Sequence, residues 1–121
     1  MEKLTQREEE IMRALWQLNK GFVKEIIELL PAPKPHYNTT STLVRILEEK
    51  GFVDHNTFGK SHQYFPLISE EEYKAKFMKG FVNKYFKNSY KEMVTFFAKE
   101  ENLSKKDLEE ILKMIEKGSN E

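Results

Sequence analysis

The chain has 121 residues, with 20 Lys/Arg balancing 20 Asp/Glu, so it is neutral at pH 7 and the size of one domain or of a small domain with an appended module. The absence of cysteine excludes disulfides, zinc knuckles and thiol catalysis and is compatible with a reducing compartment. The charged start, MEKLTQREEEIM, is unlike a signal peptide and no apolar run approaches membrane-spanning length, so a cytoplasmic protein is expected.

In chain order, Thr5-Gln6-Arg7-Glu8 is a capping box, with Thr5 at the cap and Glu8 at the reciprocal third position. Ile11, Leu15 and Leu18 follow at helical spacing, widened by Met12 and Trp16, and Asn19-Lys20-Gly21 ends this predicted helix. A second helix is predicted from about Val23 to Leu30, with Phe22 placed to form a short strand beside a later hairpin. The run Pro31-Ala32-Pro33-Lys34-Pro35 is a stiff connection, because each proline holds its predecessor in extended geometry. Asn38 is a good cap for a third helix over residues 39–50, which Gly51 terminates. Phe52-Val53 and Tyr64-Phe65 anchor two strands around the turn Phe58-Gly59-Lys60-Ser61.

From Ser69 the pattern is helical again. Ser69-Glu70-Glu71-Glu72 and Ser89-Tyr90-Lys91-Glu92 are further capping boxes, and Ser104-Lys105-Lys106-Asp107 is similar. Helices are predicted over residues 70–87, 90–100 and 105–117. The fold class is therefore mainly α with a small β-wing: a winged helix-turn-helix over residues 1–67, then a three-helix dimerisation module over residues 68–121.

In the third helix Leu43, Ile46 and Leu47 are the expected core set, while Asn38, Ser41, Thr42 and Arg45 share the opposite face. Short hydroxyl and amide side chains let a helix approach base edges closely, and Arg45 reaches a guanine edge or a phosphate. Four consecutive hydroxyl residues, Thr39 to Thr42, sacrifice helix propensity, which argues against a plain surface helix. Lys60 at the wing tip and Tyr37 before the helix are expected on the phosphate backbone. The neutral charge argues the other way. Residues 1–67 hold nine Lys/Arg and nine Asp/Glu, so Glu8, Glu9, Glu10, Glu48 and Glu49 must turn away from phosphate. The three histidines, His36, His55 and His62, all lie in this half, but the turn separates His55 from His62 and no carboxylate spacing supports them, so no metal site is expected. No cofactor is expected either.

Ten of the fifteen aromatics lie from Tyr64 onward, more apolar surface than three short helices can hide from one another. Tyr73, Phe77, Phe81 and Tyr85 recur every four residues, and Val94, Phe97, Leu108, Ile111, Leu112 and Ile115 supply further stripes. Self-association is the simplest way to cover them. The acid-free run Lys74, Lys76, Lys79, Lys84, Lys87, Lys91 is expected to be a solvated face.

The segment TTSTLVRILEEKGFVDH (39–55), its spacing LxRxLxEKGxVxH, the downstream SEEEY and ENLSKKDLEEI, and the opening LTQREEEIMRALW together resemble the BlaI/MecI family of penicillinase and methicillin-resistance repressors over nearly the whole chain. The resemblance implies a homodimeric winged-helix repressor on a dyad-symmetric operator, released when a membrane metalloprotease sensor triggers cleavage in the dimerisation helices. Staphylococcal members cut at an Asn-Phe bond in the helix that here reads YKEMVTFFAKEE; the aligned pair is Phe96-Phe97, without the Asn. Their recognition helices carry a basic residue where this chain has Ser41. Copper-responsive relatives use C-terminal cysteines, which are absent here.

Two other classes are set against that reading. A winged-helix protein-interaction module without DNA binding is favoured by the neutral charge. An enzyme is disfavoured, because no His/Asp/Ser constellation, phosphate loop or metal spacing converges.

Overall fold

A computed structural model describes residues 3–100 and 104–119, with side chains except at 112 and 114–119. Helix α1 (Gln6–Leu18) starts at Thr5, whose Oγ1 accepts the Glu8 N–H at 3.2 Å while Glu8 Oε1 accepts the Thr5 N–H at 2.8 Å. Both halves of the predicted capping box are made. The short helix α2 (Val23–Glu28) ends two residues before the expected limit. Its last carbonyls are taken by a side chain: Lys34 Nζ donates to Glu28 O at 2.7 Å and Leu30 O at 2.6 Å.

Helix α3 (Tyr37–Glu49) begins earlier than predicted, with His36 rather than Asn38 at the cap. The His36 carbonyl accepts both the Thr40 N–H at 3.0 Å and the Thr40 hydroxyl at 3.1 Å, which closes the first turn without a side-chain cap. Asn38 is thus a first-turn residue. The C-terminus is a Schellman motif: Gly51, at φ +84°, donates to Glu48 O, and Phe52 N–H reaches Leu47 O at 2.9 Å. The chain then enters β1 (Val53–Phe58) and returns in β2 (Ser61–Pro66), antiparallel, with Val53 opposite Pro66 and Phe58 opposite Ser61. Gly59, at φ +63°, occupies the first central position of the two-residue loop, where a type II′ connection needs glycine. The third strand contact comes from Gly21, which exchanges two backbone bonds of 2.9 Å with Tyr64; Phe22, expected in that role, instead caps α2.

Three helices, a two-stranded wing and a one-residue bridge from the α1–α2 connection make the winged-helix arrangement. Its core is Leu4, Ile11, Met12, Leu15, Val23, Ile26, Leu30, Val44, Leu47, Phe52, Val53, Tyr64 and Ile68. On α3 the buried set is Thr40, Val44 and Leu47, with Leu43 and Ile46 only partly covered. The buried stripe therefore runs through Val44 rather than Leu43 and Ile46, and it brings a hydroxyl inside. Thr40 is tolerated there because its Oγ1 is bonded to the preceding turn.

Helix α4 (Glu70–Phe86) starts from a complete Ser69/Glu72 capping box, α5 (Tyr90–Glu100) follows a turn with Lys87 and Asn88 at positive φ, and α6 is Lys105–Ser119. The third box is half made: Ser89 Oγ accepts Glu92 N–H, but the Ser89 N–H goes to Phe86 O. The chain divides into two compact units after Ala75, inside α4. Before that division Tyr73 belongs to the winged-helix core. Its ring lies 5.6 Å from Trp16 and 6.2 Å from Phe52, and its hydroxyl donates to Glu9 at 2.6 Å. Burial and then the Glu9 carboxylate hold the Tyr73 hydroxyl well above the usual tyrosine range. Among the described residues no helix is long and apolar enough to cross a membrane.

In the second unit Phe81 lies 5.1 Å from Tyr85 and 5.8 Å from Phe86, and Phe86 lies 5.7 Å from Phe96 and 6.3 Å from Phe97. Only Val82 is buried among its described residues. Phe81, Val94, Phe97, Leu108 and Ile111 are half-covered, and Phe77, Tyr85 and Phe96 are exposed. The Leu112 and Ile115 side chains lie outside the described residues, as does Leu103.

Candidate nucleic-acid interface

Helix α3 and the wing form the two walls of a groove of about 320 Å³, lined by Tyr37, Ser41, Arg45, Lys60, His62 and Tyr64 with Val23 at its floor. Four residues expected to contact DNA are therefore brought together: Tyr37, Ser41 and Arg45 at helical spacing on α3, and Lys60 from the wing turn. Asn38, Thr39 and Thr42 do not line this groove. They are exposed on the outer surface of the same helix.

The hydroxyls are engaged in different ways. Thr42 Oγ1 donates back to Asn38 O at 2.9 Å. Ser41 Oγ accepts from Arg45 Nη2 at 3.2 Å, so the guanidinium is folded along the helix one turn back. Two of the four threonine and serine side chains thus serve the helix itself, Thr40 and Thr42. Poor propensity alone does not mark a reading face.

Val23, His62 and Tyr64 also line the groove and were not among the expected contacts; of these His62 is the polar, exposed one. It had a signal: His62 and Tyr64 alternate along β2, so His62 shares the face whose anchor is Tyr64, 3% exposed. Burial, and then the Glu48 carboxylate, push the Tyr64 hydroxyl above its ordinary range, while Arg45 acts against them.

The five acids that had to turn away from phosphate are mostly committed elsewhere. Glu8 is 2% exposed and pairs with Lys50 Nζ at 3.0 Å, Glu9 accepts from Tyr73, and Glu10 lies 3.2 Å from Arg7. Glu48 Oε1 is 2.5 Å from His55 Nδ1; only Glu49 is exposed without a partner named here. The groove lining contains Arg45 and Lys60 and no carboxylate. Charge is therefore segregated locally within a neutral chain.

Folding brings the wing histidines closer together than their spacing in sequence shows. His55 and His62, separated by the turn in sequence, stack with ring centroids 4.0 Å apart and planes 6° from parallel. The carboxylate that spacing did not supply comes from the end of α3, and donor atoms of Glu48, Asp54 and His55 all lie within 4.8 Å of one another. His36 is exposed at the α3 cap.

A winged helix with a basic groove between its third helix and its wing defines a class built to hold an elongated polyanion. Comparison with known proteins narrows that class: the penicillinase repressor family matches over residues 4–117, and the chain belongs to that family. It is 31% identical to the methicillin resistance regulatory protein MecI of Staphylococcus aureus (strain N315), over 95% of this chain and 94% of that protein. It is 25% identical to the penicillinase repressor of Bacillus licheniformis, over 98% of this chain and 93% of that one. A solved CopR repressor structure aligns with 56% of this chain at 26% identity and a TM-score of 0.46.

Proposed function

We propose that the protein is a homodimeric DNA-binding transcriptional repressor that inserts α3 in the major groove of a dyad-symmetric operator and lays the wing on the backbone. The observation that carries this reading is the α3–wing groove, lined by Arg45 and Lys60 and free of carboxylates in a chain of zero net charge. Asn38, Thr39, Ser41 and Thr42 are short enough to let α3 approach base edges, and Arg45 swings from Ser41 to a guanine edge. Lys60 and Tyr37 take phosphates, which position the helix without reading sequence. In a two-fold dimer the reading helices stand about 34 Å apart, one helical turn of DNA.

The apolar residues Phe77, Phe81, Tyr85, Val94, Phe97, Leu108 and Ile111, with Leu112 and Ile115 from the sequence pattern, form the dimer surface in this reading. Covering such side chains is worth roughly 25 cal/mol per Å² of apolar area. Release follows from cleavage at Phe96–Phe97 in α5 by a membrane metalloprotease sensor, since a cut there separates α6 from α4 and dismantles that surface.

The test is an electrophoretic mobility shift with the DNA upstream of the protein's own coding region and with unrelated fragments, at about 50 mM and about 200 mM salt. A specific shift that weakens steeply with salt is expected. The absence of any shift with either DNA leaves the protein-interaction module as the reading.

A further inference from the structure

We propose that Glu48, Asp54 and His55 form a binding site for a divalent first-row transition-metal ion, zinc above all, which clasps the end of α3 to the first strand of the wing. The three donors come from two elements. Glu48 is on the last turn of α3, and Asp54 and His55 are the second and third residues of β1, just beyond the Gly51 stop. His55 Nδ1 lies 2.5 Å from Glu48 Oε1 and 4.0 Å from Asp54 Oδ1. Two ligand atoms on one tetrahedral zinc, with bonds of about 2.0–2.1 Å, stand about 3.3 Å apart. The observed separations bracket that value, so closure around an ion needs side-chain shifts of under about an ångström.

Three further observations favour an ion. Among the described residues neither carboxylate has a Lys or Arg nitrogen within 4.0 Å; the His55 ring nitrogen lies within that distance of both. The ligands are already oriented, because Asp54 Oδ1 accepts the His55 backbone N–H at 2.8 Å and the His62 ring lies parallel against the His55 ring at 4.0 Å. Glu48 and His55 are also partly shielded, with side chains 34% and 24% exposed. One imidazole and two carboxylates, with water completing the shell, suit zinc or manganese and give magnesium little advantage over its own hydration.

A bound dication also removes the negative charge of Glu48 from the edge of α3 and stiffens the joint between reading helix and wing. This consequence rests on the DNA-binding reading, whereas the site itself does not.

Isothermal titration of the full chain with zinc chloride is expected to give one ion per chain. Affinity is expected to fall at least about tenfold in His55→Gln and in Glu48→Gln, with magnesium chloride giving no comparable heat. Thermal denaturation supplies the second readout: zinc raises the Tm of the parent and leaves that of a folded His55→Gln unchanged. No zinc binding, or binding unaltered in both variants and therefore adventitious, overturns the site. Zinc binding lost in the variants but without DNA binding under any condition sustains the site and removes the repressor reading instead.

Discussion

The two units of this chain are built from helices of similar quality but differ in what their apolar residues meet. In the first, Ile11, Met12, Leu15, Ile26, Val44 and Leu47 have no exposed surface, and even the polar Glu8 and Thr40 inside are hydrogen-bonded. In the second, Val82 alone is buried among the described residues, while Phe77, Tyr85 and Phe96 stand about half exposed at 54%, 61% and 48%. The first unit closes a connected core, although Leu29, Tyr37, Phe58 and Leu67 stay on its surface. The second carries apolar side chains that stay largely uncovered among the described residues, the surface that the proposed dimer would bury.

The largest effect that tests this contrast is in the first core. Leu47→Ala is expected to cost about 2–5 kcal/mol in urea denaturation of the whole chain, because Leu47 is fully buried and its cavity cannot fill easily. A loss well below that range means the core is looser than its burial implies.

Next comes the Glu8–Lys50 pair. Burial raises the Glu8 carboxyl, but the Thr5 backbone N–H, the Lys50 ammonium and the Thr5 hydroxyl outweigh it, and the net shift is downward. A depressed folded value means that the carboxylate stabilises the fold above the ordinary carboxylate range and that this contribution is lost as pH falls through the folded value. Glu8→Gln is therefore expected to destabilise by about 2–4 kcal/mol near neutral pH, with the gap to the parent shrinking below about pH 4. A gap independent of pH between about 3 and 7 assigns the loss to packing rather than to charge.

For the second unit, Tyr85→Ser combined with Phe77→Ser is expected to weaken the proposed dimer by about 2 kcal/mol or more, read by sedimentation equilibrium, while far-ultraviolet circular dichroism stays close to that of the parent. Unchanged association would detach these aromatics from the dimer surface and erase the contrast. The smallest effects belong to the groove. Arg45→Ala is expected to reduce operator affinity by about 1–3 kcal/mol with little change on unrelated DNA, and Lys60→Ala to weaken all DNA equally and lower the salt slope by about one. Equal losses on both DNAs for Arg45→Ala would make it a phosphate contact.

Much of the fold was legible because its signals are local. Thr5/Glu8 and Ser69/Glu72 are complete capping boxes, Gly51 ends α3, and the wing turn falls where Gly59 allows it. The third-helix face was legible in outline and shifted in detail. His36 rather than Asn38 capped it, since a carbonyl taking both the amide and the hydroxyl of Thr40 closed the turn two residues early. Tyr73 carried the same four-residue spacing as Phe77 and Phe81, yet it packs on Trp16 and Phe52. Periodicity gives a face but does not say which neighbour meets it.

By itself the sequence determined the helices, the wing, the shared α3 face of Ser41 and Arg45, and the family pattern, all of which are written in spacings of a few residues. The tertiary structure alone decided that Glu8 neutralises Lys50 from 42 positions away, that Tyr73 reaches Glu9 across 64, and that His55 meets both His62 and Glu48. The physical reason is range. Caps, turns and periodicity act over one turn of backbone, whereas charge pairing and ring stacking depend on how helices and strands pack, so a chain of zero net charge acquires a basic groove only once it is folded.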